Sequence, residues 1–410
     1  MPIKLLFICQ WFPPEYAPIG IMLKELAEDM IKHGHTVTVI TGFPNHPAGV
    51  LFKGYRKRLF FKEIINGIRV IRCYLYTSFR KTFLHRIANF ISFGATSFVT
   101  ALLLDKKDLL FIVSPPLSNG LIALLLRQMK GLRFVFNVQD LYPDVAISTG
   151  VIRNRLLIRI LKIIELFVYR GAERVAVISE GFKKNLLIKG VPNSKIQIIC
   201  NWLDTCEIYP VSRNNEFARN HGLTEKFVVL YSGTIGMVSG AEIIIECAEK
   251  LRRYGDILFL FMGEGVVKEA IVEKARVTGL DNIKFLSFQP REILSQVQSS
   301  ADVSIVTLSK GKGKTSVPSK VLGYMAAARP VIASVDPDSD TWQLIEGAGC
   351  GICVDPEDVQ GLSMAIESLY HDRERARLLG RHGRDFLKSN CDRNIITSHY
   401  EKLFVECCKV

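Results

Sequence analysis

Short, apolar, β-rich runs alternate with helical segments along almost the whole chain, and this alternation limits the possible fold more than any other feature. Seven strands are predicted in the first half, at 3–9, 36–41, 68–72, 109–113, 133–138, 174–178 and 196–200. Helices are predicted between most of them, such as 20–32 and 153–170. Many strand runs are continuously apolar, as expected when helices cover both faces of a parallel sheet. The pattern therefore predicts a doubly wound α/β sheet.

The same alternation starts again after a polar stretch, residues 212–226. Six more strands are predicted, at 227–231, 257–262, 283–286, 303–306, 331–333 and 352–354. Each half has about 200 residues, which is an ordinary size for a domain. We therefore predict two Rossmann-like domains, at residues 1–205 and 206–390, followed by a C-terminal helix at 391–410.

Charge is unevenly divided between the halves. The chain has a net charge of +13; residues 1–200 hold 28 basic and 12 acidic side chains, and residues 201–410 hold 25 and 28. Between residues 53 and 86, aromatic side chains are interleaved with ten basic ones, against Glu63 alone. The ten are Lys53, Arg56, Lys57, Arg58, Lys62, Arg69, Arg72, Arg80, Lys81 and Arg86. A segment of this kind beside an apolar helix is typical of contact with an anionic membrane surface.

Two uncharged runs, 87–104 and 109–126, have the minimum length of a membrane-spanning helix. Polar residues dilute the first run, and Pro115 and Pro116 interrupt the second. We interpret the first as a buried or membrane-surface helix, and the second as a strand, a turn and a helix. The ten cysteines lie mostly in apolar runs, which favours reduced, buried thiols in a cytosolic protein.

Glycine-containing turns follow several predicted strands, at the position where sheets of this class bind ligands. A proline-rich loop after the first strand ends with Gly20 at a helix start. In the second half, the turn at 231–236 contains Gly233, Thr234 and Gly236. Backbone N–H groups ahead of a helix would suit a diphosphate. An ordinary turn at a helix start is the alternative in each case.

A second turn of this kind, at 262–265, places Glu264 to accept hydrogen bonds. Further along the chain, a basic loop precedes a helix and contains Lys310, Lys312, Lys314 and Lys320. The spacing of a P-loop is absent, and we interpret the segment as a phosphate-binding loop. A merely solvated basic loop is the alternative.

Asp140 follows a strand of the first half, within the segment 139–143. A carboxylate there could hold a hydroxyl or a developing charge; the alternative is an Asx turn or a helix cap. Cys350 and Cys353 form a single C-x-x-C pair without a nearby histidine, so metal or redox use is disfavoured. The acidic segment 336–340 is interpreted as a helix cap.

The order and spacing of ten segments resemble the retaining GT-B glycosyltransferases of family 4. The segments are PPEYAPIG at 13–20, HGHTVTVIT at 33–41, SPP at 114–116, QDLYPD at 139–144, NWLD at 201–204, YSGTIG at 231–236, MGEG at 262–265, FLSFQPRE at 285–292, PSKVLGYMAAARPVIA at 318–333 and GAGCGICVDPED at 347–358. The chain is most similar to the bacterial subgroup that builds O-antigen lipopolysaccharide, capsule, colanic acid or other exopolysaccharide, including fucosyl- and N-acetylfucosaminyl-transferases.

The resemblance implies two Rossmann-like domains that face each other across a cleft, with the last helix returning to the first domain. It implies that a nucleoside diphosphate sugar binds mainly to the second domain and the acceptor to the first. The base is then expected near Phe288 and Arg291, and the acceptor near Gly20 and Asp140. The diphosphate is expected near Gly233, Thr234, Gly236, Glu264, Ser319 and Lys320.

Two departures from the family pattern concern the donor. Many members have an arginine and a lysine in the segment that here reads GTIGMVSG, at 233–240. Their paired glutamates, separated by seven residues, align with Thr315 and Gly323. We expect Lys320 to supply the missing positive charge.

The sequence therefore predicts a retaining glycosyltransferase with Asp140 and Lys320 as catalytic residues. It is expected to need no cofactor and no metal, since the nucleotide sugar is a substrate. A polyprenyl-diphosphate-linked glycan acceptor would place it at the cytoplasmic face of the inner membrane. One alternative is a nucleotide-sugar epimerase of the same shape, although convincing acid and base residues are not found. Another is a nucleic-acid-binding protein, which would leave the turns of the second domain unexplained; we expect no nucleic acid partner.

Overall fold

The computed structural model describes residues 2–15, 17–46, 48–80, 82–313 and 317–409. The chain divides into two compact units. The first contains Met1–Cys200 and Ile396–Val410, and the second contains Asn201–Ile395. These limits lie five residues from the domain limits expected from the sequence.

The first unit is built on an eight-stranded sheet. Its strands are β1 (Lys4–Ile8), β2 (Thr36–Gly42), β3 (Phe60–Ile65), β4 (Ile68–Cys73), β5 (Leu109–Ser114), β6 (Phe134–Val138), β7 (Arg174–Val177) and β8 (Ile196–Ile198). They are ordered β3-β4-β2-β1-β5-β6-β7-β8, and all neighbours are parallel except β3 and β4. The central strands are buried along their length, because helices cover both faces of the sheet.

Strand β3 was not predicted from the sequence. It pairs antiparallel with β4 at the sheet edge. A two-residue turn joins the two strands, and both of its residues, Asn66 and Gly67, have positive φ. The residues of β3 alternate between exposed and half-buried positions, so it lacks the continuous apolar run by which the parallel strands were recognised. All seven strands that were predicted for this unit are present, as β1, β2 and β4–β8.

Six helices connect these strands and cover the sheet. They are α1 (Pro18–Lys32), α2 (Phe83–Leu102), α3 (Ser118–Lys130), α4 (Asp144–Ser148), α5 (Arg155–Gly171) and α6 (Glu180–Ile188). Local signals account for several of their ends. Pro18 opens α1, where a missing N–H costs nothing, and the side chain of Ser179 accepts the Phe182 N–H at the start of α6.

The second unit contains six parallel strands, all of them predicted. They are β9 (Phe227–Ser232), β10 (Ile257–Met262), β11 (Ile283–Leu286), β12 (Val303–Thr307), β13 (Val331–Ser334) and β14 (Gly351–Val354). Their order is β11-β10-β9-β12-β13-β14, which is that of a Rossmann sheet. The strand order reverses between β9 and β12. The carboxyl ends of these two strands therefore mark the expected position of a ligand.

Helices again lie between the strands. They are α7 (Glu216–Asn220), α8 (Glu242–Lys250), α9 (Lys268–Val277), α10 (Leu294–Ser299), α11 (Lys320–Ala326), α12 (Asp340–Ala348), α13 (Val359–His371) and α14 (Arg373–Asn390), followed by α15 (Arg393–Lys409). Most of α15 belongs to the first unit. There the Phe404 ring lies 5.2 Å from Phe111, and the Glu401 carboxylate contacts His33 at 2.7 Å and His35 at 3.0 Å. The fold class is therefore two Rossmann-like α/β domains, as predicted.

The two uncharged runs form ordinary elements of the first unit. Residues 87–104 belong largely to α2, and residues 109–126 form β5, a turn and most of α3. Over the described ranges, every helix falls short of the length or apolar character that crossing a bilayer requires. Six of the ten cysteines are buried, in keeping with their position in apolar runs.

Candidate functional site

Lys320 lies at the carboxyl end of β9, where the strand order of the second sheet reverses. It is the first residue of α11, the helix that follows β12. Its Nζ atom lies 3.6 Å from the centroid of the Tyr231 ring. A Cβ atom on Gly233 would lie only 3.1 Å from Lys320 Cε, so the lysine stem packs directly on this turn. The structure thus brings Lys320 and Gly233, both predicted from the sequence, into contact.

Two tyrosines hold this strand end in place. Tyr231 is buried, and its hydroxyl donates a 3.0 Å hydrogen bond to the Thr234 carbonyl. Tyr324, one helical turn after Lys320, accepts the Ser232 N–H at 2.9 Å. Lys320 and Tyr324 therefore attach the start of α11 to the end of β9. Neither tyrosine is recognisable as a site residue from the sequence, because a tyrosine in an apolar run resembles a core residue.

The surroundings of Lys320 disfavour its charge. Burial lowers the pKa of its ammonium from 10.5 to about 7. Among the residues that the structure describes, no carboxylate pairs with it; its near neighbour is the π face of Tyr231. A bound anion would supply the missing opposite charge, and the cation would become favourable again.

The two glycine-containing turns pack against each other. Gly233 N–H donates to the Met262 carbonyl at 2.8 Å, and Ile235 N–H donates to the Glu264 carbonyl at 3.0 Å. A Cβ atom on Gly263 would overlap the Gly233 carbonyl oxygen. The Gly233 N–H is therefore already used, and the expected contact of Gly233 with a diphosphate stays a prediction. Thr234 and Gly236, further along the turn, have N–H groups without a partner in the described part of the chain.

Glu264 lies between the ends of β10 and β11. Its carboxylate is exposed and contacts Lys268 at 2.8 Å. Hydrogen bonds from Lys268 and Ser287 lower the pKa of this carboxyl. Phe288, next to Ser287, is exposed and open to a planar ligand. Arg291 instead pairs through Nε with Glu207 at 2.9 Å, so its charge is already engaged, and its expected contact with the base stays a prediction.

The basic loop before α11 is held by an aspartate. Asp336 is buried and accepts the N–H groups of Gly311 and Gly313 at 2.9 and 3.1 Å. The expected cap of α12 is provided by Ser339, which accepts the Trp342 N–H at 3.2 Å. A long-range role for Asp336 could not be inferred from a local capping pattern.

Part of the same loop lies outside the described residues. Lys314, Thr315 and Ser316 fall there. The described part of the chain resumes at residue 317, ahead of α11. This helix starts at Lys320, with the exposed Ser319 at its N-cap position.

In the first unit, Asp140 follows β6. Burial raises the pKa of its carboxyl from 3.8 to about 6. The described residues offer its carboxylate no hydrogen-bond donor, so a substrate hydroxyl could fill that place. Its neighbour Gln139 donates from Nε2 to Asn137 Oδ1 at 2.8 Å, and Asn137 in turn donates to the Tyr400 hydroxyl at 2.8 Å.

Gly20 is buried in α1, close to the loop after β1. A Cβ atom there would lie 3.0 Å from the Trp11 carbonyl oxygen. Close packing therefore accounts for this glycine, and its expected contact with a ligand stays a prediction.

The predicted membrane segment, residues 53–86, needs a correction at Arg72. Its side chain is fully buried, its Nε lies 2.5 Å from the Glu63 carboxylate, and its Nη1 donates to the Gly42 carbonyl at 3.2 Å. A guanidinium enclosed in this way holds β4 to its neighbours and does not face a membrane.

No three His, Cys, Asp or Glu side chains within the described ranges come together as a possible metal site. Cys350 and Cys353, the C-x-x-C pair, are free thiols whose pKa values burial raises to about 12.

Comparisons with known proteins match both halves of the chain. Residues 19–202 match the family model described as "Glycosyl transferase 4-like domain", and residues 212–386 match "Glycosyl transferases group 1". WcaI of Escherichia coli (strain K12), a protein assigned to colanic acid biosynthesis as a glycosyl transferase, is 27% identical over 87% of this chain and 89% of its own length.

Solved structures share the fold over nearly the whole chain. A sucrose-phosphate synthase from Thermosynechococcus elongatus has a TM-score of 0.75 at 18% identity, and the match covers 98% of both chains. HepE from Anabaena, solved with UDP-glucose, has a TM-score of 0.74 at 15% identity, covering 98% of this chain and all of the other.

Proposed function

Because the chain belongs to the glycosyltransferases of the GT-B fold, we propose that it moves a sugar from a nucleoside diphosphate sugar to an acceptor hydroxyl with retention of configuration. One observation carries this proposal. Lys320, a half-buried cation without a carboxylate partner among the described residues, lies at the carboxyl end of β9 beside a glycine-containing turn. This position and this charge suit the diphosphate of a donor.

The donor site is proposed to use three kinds of contact. Lys320 would meet the diphosphate, and the N–H groups of Thr234 and Gly236 would donate hydrogen bonds to its oxygens. Ser319, exposed beside Lys320, can add a hydroxyl. Phe288 offers an exposed ring for the base. UDP-glucose in the HepE structure supports a nucleotide sugar as the class of donor.

The chemistry follows from where charge develops. When the bond from the anomeric carbon to the diphosphate breaks, the sugar gains oxocarbenium character and the leaving diphosphate gains negative charge. A fixed cation stabilises that charge without reorganising during the reaction. A leaving phosphate oxygen can take the proton of the acceptor hydroxyl, so a strong protein base is not needed. Asp140 is proposed to orient the acceptor hydroxyl.

The acceptor is proposed to be a polyprenyl-diphosphate-linked glycan at the cytoplasmic face of the inner membrane. The similarity to WcaI supports a role in bacterial surface polysaccharide synthesis. The exposed basic residues between 53 and 86, such as Lys53, Arg56 and Lys62, suit an anionic membrane surface. No cofactor or metal is proposed, since the substrates and the cation of Lys320 supply the required charges.

A nucleotide-sugar panel tests the proposal. The purified protein is heated with UDP-glucose, UDP-N-acetylglucosamine, GDP-mannose, GDP-fucose or dTDP-rhamnose. A true donor must raise the melting temperature, because it binds the folded state. The stabilising sugar is then incubated with membrane lipid extract, and sugar transfer to lipid is measured. Conversion of the sugar without an acceptor would indicate an epimerase, and indifference to every nucleotide sugar would contradict the proposal.

A further inference from the structure

Three neighbouring helices form one outer layer of the first unit. Helix α2 packs on α3, and α3 packs on α5. Their inner sides face the sheet: the Tyr169 ring on α5 lies 5.9 Å from Phe136 on β6. On the opposite side of the sheet, Phe404 of α15 lies 6.1 Å from Phe7 on β1. We call α2, α3 and α5 together the helix layer; its outer side faces away from the sheet.

The outer side of the helix layer is unusually apolar. Ten large apolar side chains in these three helices, which have 20, 13 and 17 residues, are more than a third exposed. They are Leu84, Ile91, Val99, Leu121, Leu125, Met129, Leu156, Ile160, Ile163 and Phe167. The described part of residues 201–395 has only eight such side chains. Concentration of exposed apolar residues on one face marks an interaction surface.

Basic side chains accompany the apolar ones. The three helices contain seven lysines and arginines, all exposed: Arg86, Arg127, Lys130, Arg155, Arg159, Lys162 and Arg170. Their only acidic residue, Glu165, is buried and bound to Lys189 at 2.6 Å. The helix layer therefore has no exposed carboxylate to balance its positive charge.

On α5 the two kinds of side chain form adjacent rows. Leu156, Ile160, Ile163 and Phe167 recur at helical spacing and share one side of the helix. Arg155, Arg159 and Lys162 recur at the same spacing beside them and, with Ile158, Ile163 and Leu166, line a shallow groove. An apolar row next to a basic row is the pattern of a helix that lies in a membrane interface.

We infer that the helix layer is a membrane-docking face, which lies on an anionic lipid bilayer with the apolar row of α5 entering the interface. The inference rests on the proposed function in one respect, since a lipid-linked acceptor would be reached from such a surface. A second copy of the chain fits less well as the occupant. Two helix layers in symmetric contact would bring seven cations against seven cations, whereas anionic headgroups neutralise them.

The experiment uses the full chain and vesicles of phosphatidylcholine, with or without phosphatidylglycerol. In co-sedimentation, the protein should bind the vesicles that contain phosphatidylglycerol and should be released as salt rises. The double variant Ile160→Glu, Phe167→Glu should lose at least ten-fold in binding. Met364→Glu, Leu378→Glu is the matched control, because it changes two exposed apolar residues on helices of the other unit.

A further variant and a parallel measurement keep the outcomes distinct. The triple variant Arg155→Gln, Arg159→Gln, Lys162→Gln should also weaken binding, and it tests the inference if the glutamate variant fails to fold. Equal binding by both glutamate variants, or indifference to phosphatidylglycerol, would overturn the inference. So would a dimer that the glutamate variant dissociates without a change in vesicle binding. Thermal stabilisation by nucleotide sugars, measured in parallel, reports on the proposed function independently of lipid.

Discussion

The Lys320 ammonium lies 3.6 Å from the centre of the Tyr231 ring, and no described carboxylate neutralises it. A cation over a tyrosine face gains roughly 0.5–2 kcal/mol, less than burial of a charge costs. The site without donor therefore holds an unfavourable charge at the position where the diphosphate is proposed to bind.

Removal of that charge should affect transfer far more than folding. Lys320→Met keeps the length of the side chain and removes the cation, and we expect kcat/KM for sugar transfer to fall by about 100-fold or more. The melting temperature should stay the same or rise, because burial disfavours the ammonium. Lys388→Met, at an exposed position on α14, is the matched control and should retain activity. Full activity of the Lys320 variant would remove Lys320 from the mechanism.

The pKa of Lys320 predicts a further signature of the same contact. Because the pKa is about 7, much of this side chain is neutral above pH 7. A bound diphosphate favours the ammonium and raises the pKa, so binding should take up a proton between pH 7 and 9. Affinity should then fall as pH rises through this range. Titration calorimetry of the stabilising nucleotide in buffers of different ionisation enthalpy measures the uptake, which Lys320→Met should abolish.

Replacement of Asp140 by asparagine should lower activity and raise stability. The pKa of Asp140 is about 6 in the folded protein and about 3.9 in an unfolded chain. The folded state therefore binds the extra proton between these values, and stability falls as pH rises through that window. At pH 7.5 the carboxyl is ionised in both states, so the folded protein bears the full free-energy cost of holding the buried carboxylate. Asp140→Asn removes this cost and should raise the melting temperature. Transfer should fall by about ten-fold or more, since an amide oxygen is a weaker hydrogen-bond acceptor than a carboxylate for the substrate hydroxyl that Asp140 is proposed to orient.

Asp144→Asn is the matched control for Asp140. Asp144 pairs with Lys189 at 2.8 Å, so its loss should lower the melting temperature. The pH profile of wild-type transfer should show an acid limb near pH 6 that Asp140→Asn removes. If the two variants shifted stability in the same direction, the assigned environment of Asp140 would be wrong.

Much of the fold follows from local pattern, because buried parallel strands must be apolar along their whole length. Thirteen of the fourteen strands could be predicted on this ground. The exception, β3, lies at a sheet edge, where one side of the strand meets solvent and the apolar run breaks up. This strand becomes recognisable only from its pairing with β4, which a local pattern does not supply.

Only part of the candidate site could be predicted from local sequence. Lys320 and Gly233 could be chosen from their positions after strands, but their contact depends on how α11 packs across β9. Asp336 looked like a helix cap and binds a distant loop instead. Arg72 looked like a surface cation because its partner Glu63 comes from the strand that was missed. These errors share one cause: polar side chains are paired by tertiary packing, which sequence neighbours do not reveal.

Because the two glycine-containing turns are in close contact, adding a single methyl group at Gly263 should strongly destabilise the protein. Gly263 has a φ of +148°, and a Cβ atom there would overlap the Gly233 carbonyl oxygen. Gly263→Ala should lower the free energy of unfolding by about 2–4 kcal/mol, from overpacking and backbone strain together. Urea unfolding measures the change. Gly255→Ala, in open space, is the control and should be nearly neutral; equal stability of the two variants would contradict the close packing.

Tyr400 should couple the last helix to β6, the strand that precedes Asp140. Its hydroxyl is buried and accepts a 2.8 Å hydrogen bond from Asn137, whose own oxygen accepts from Gln139. Tyr400→Phe leaves a buried amide donor unpaired, and the free energy of unfolding should fall by about 1–3 kcal/mol. Tyr209→Phe, at an exposed site, should be neutral in the same urea titration. If Gln139 positions Asp140, Tyr400→Phe should also shift the acid limb of the transfer profile; an unchanged limb with lower stability would limit Tyr400 to a structural role.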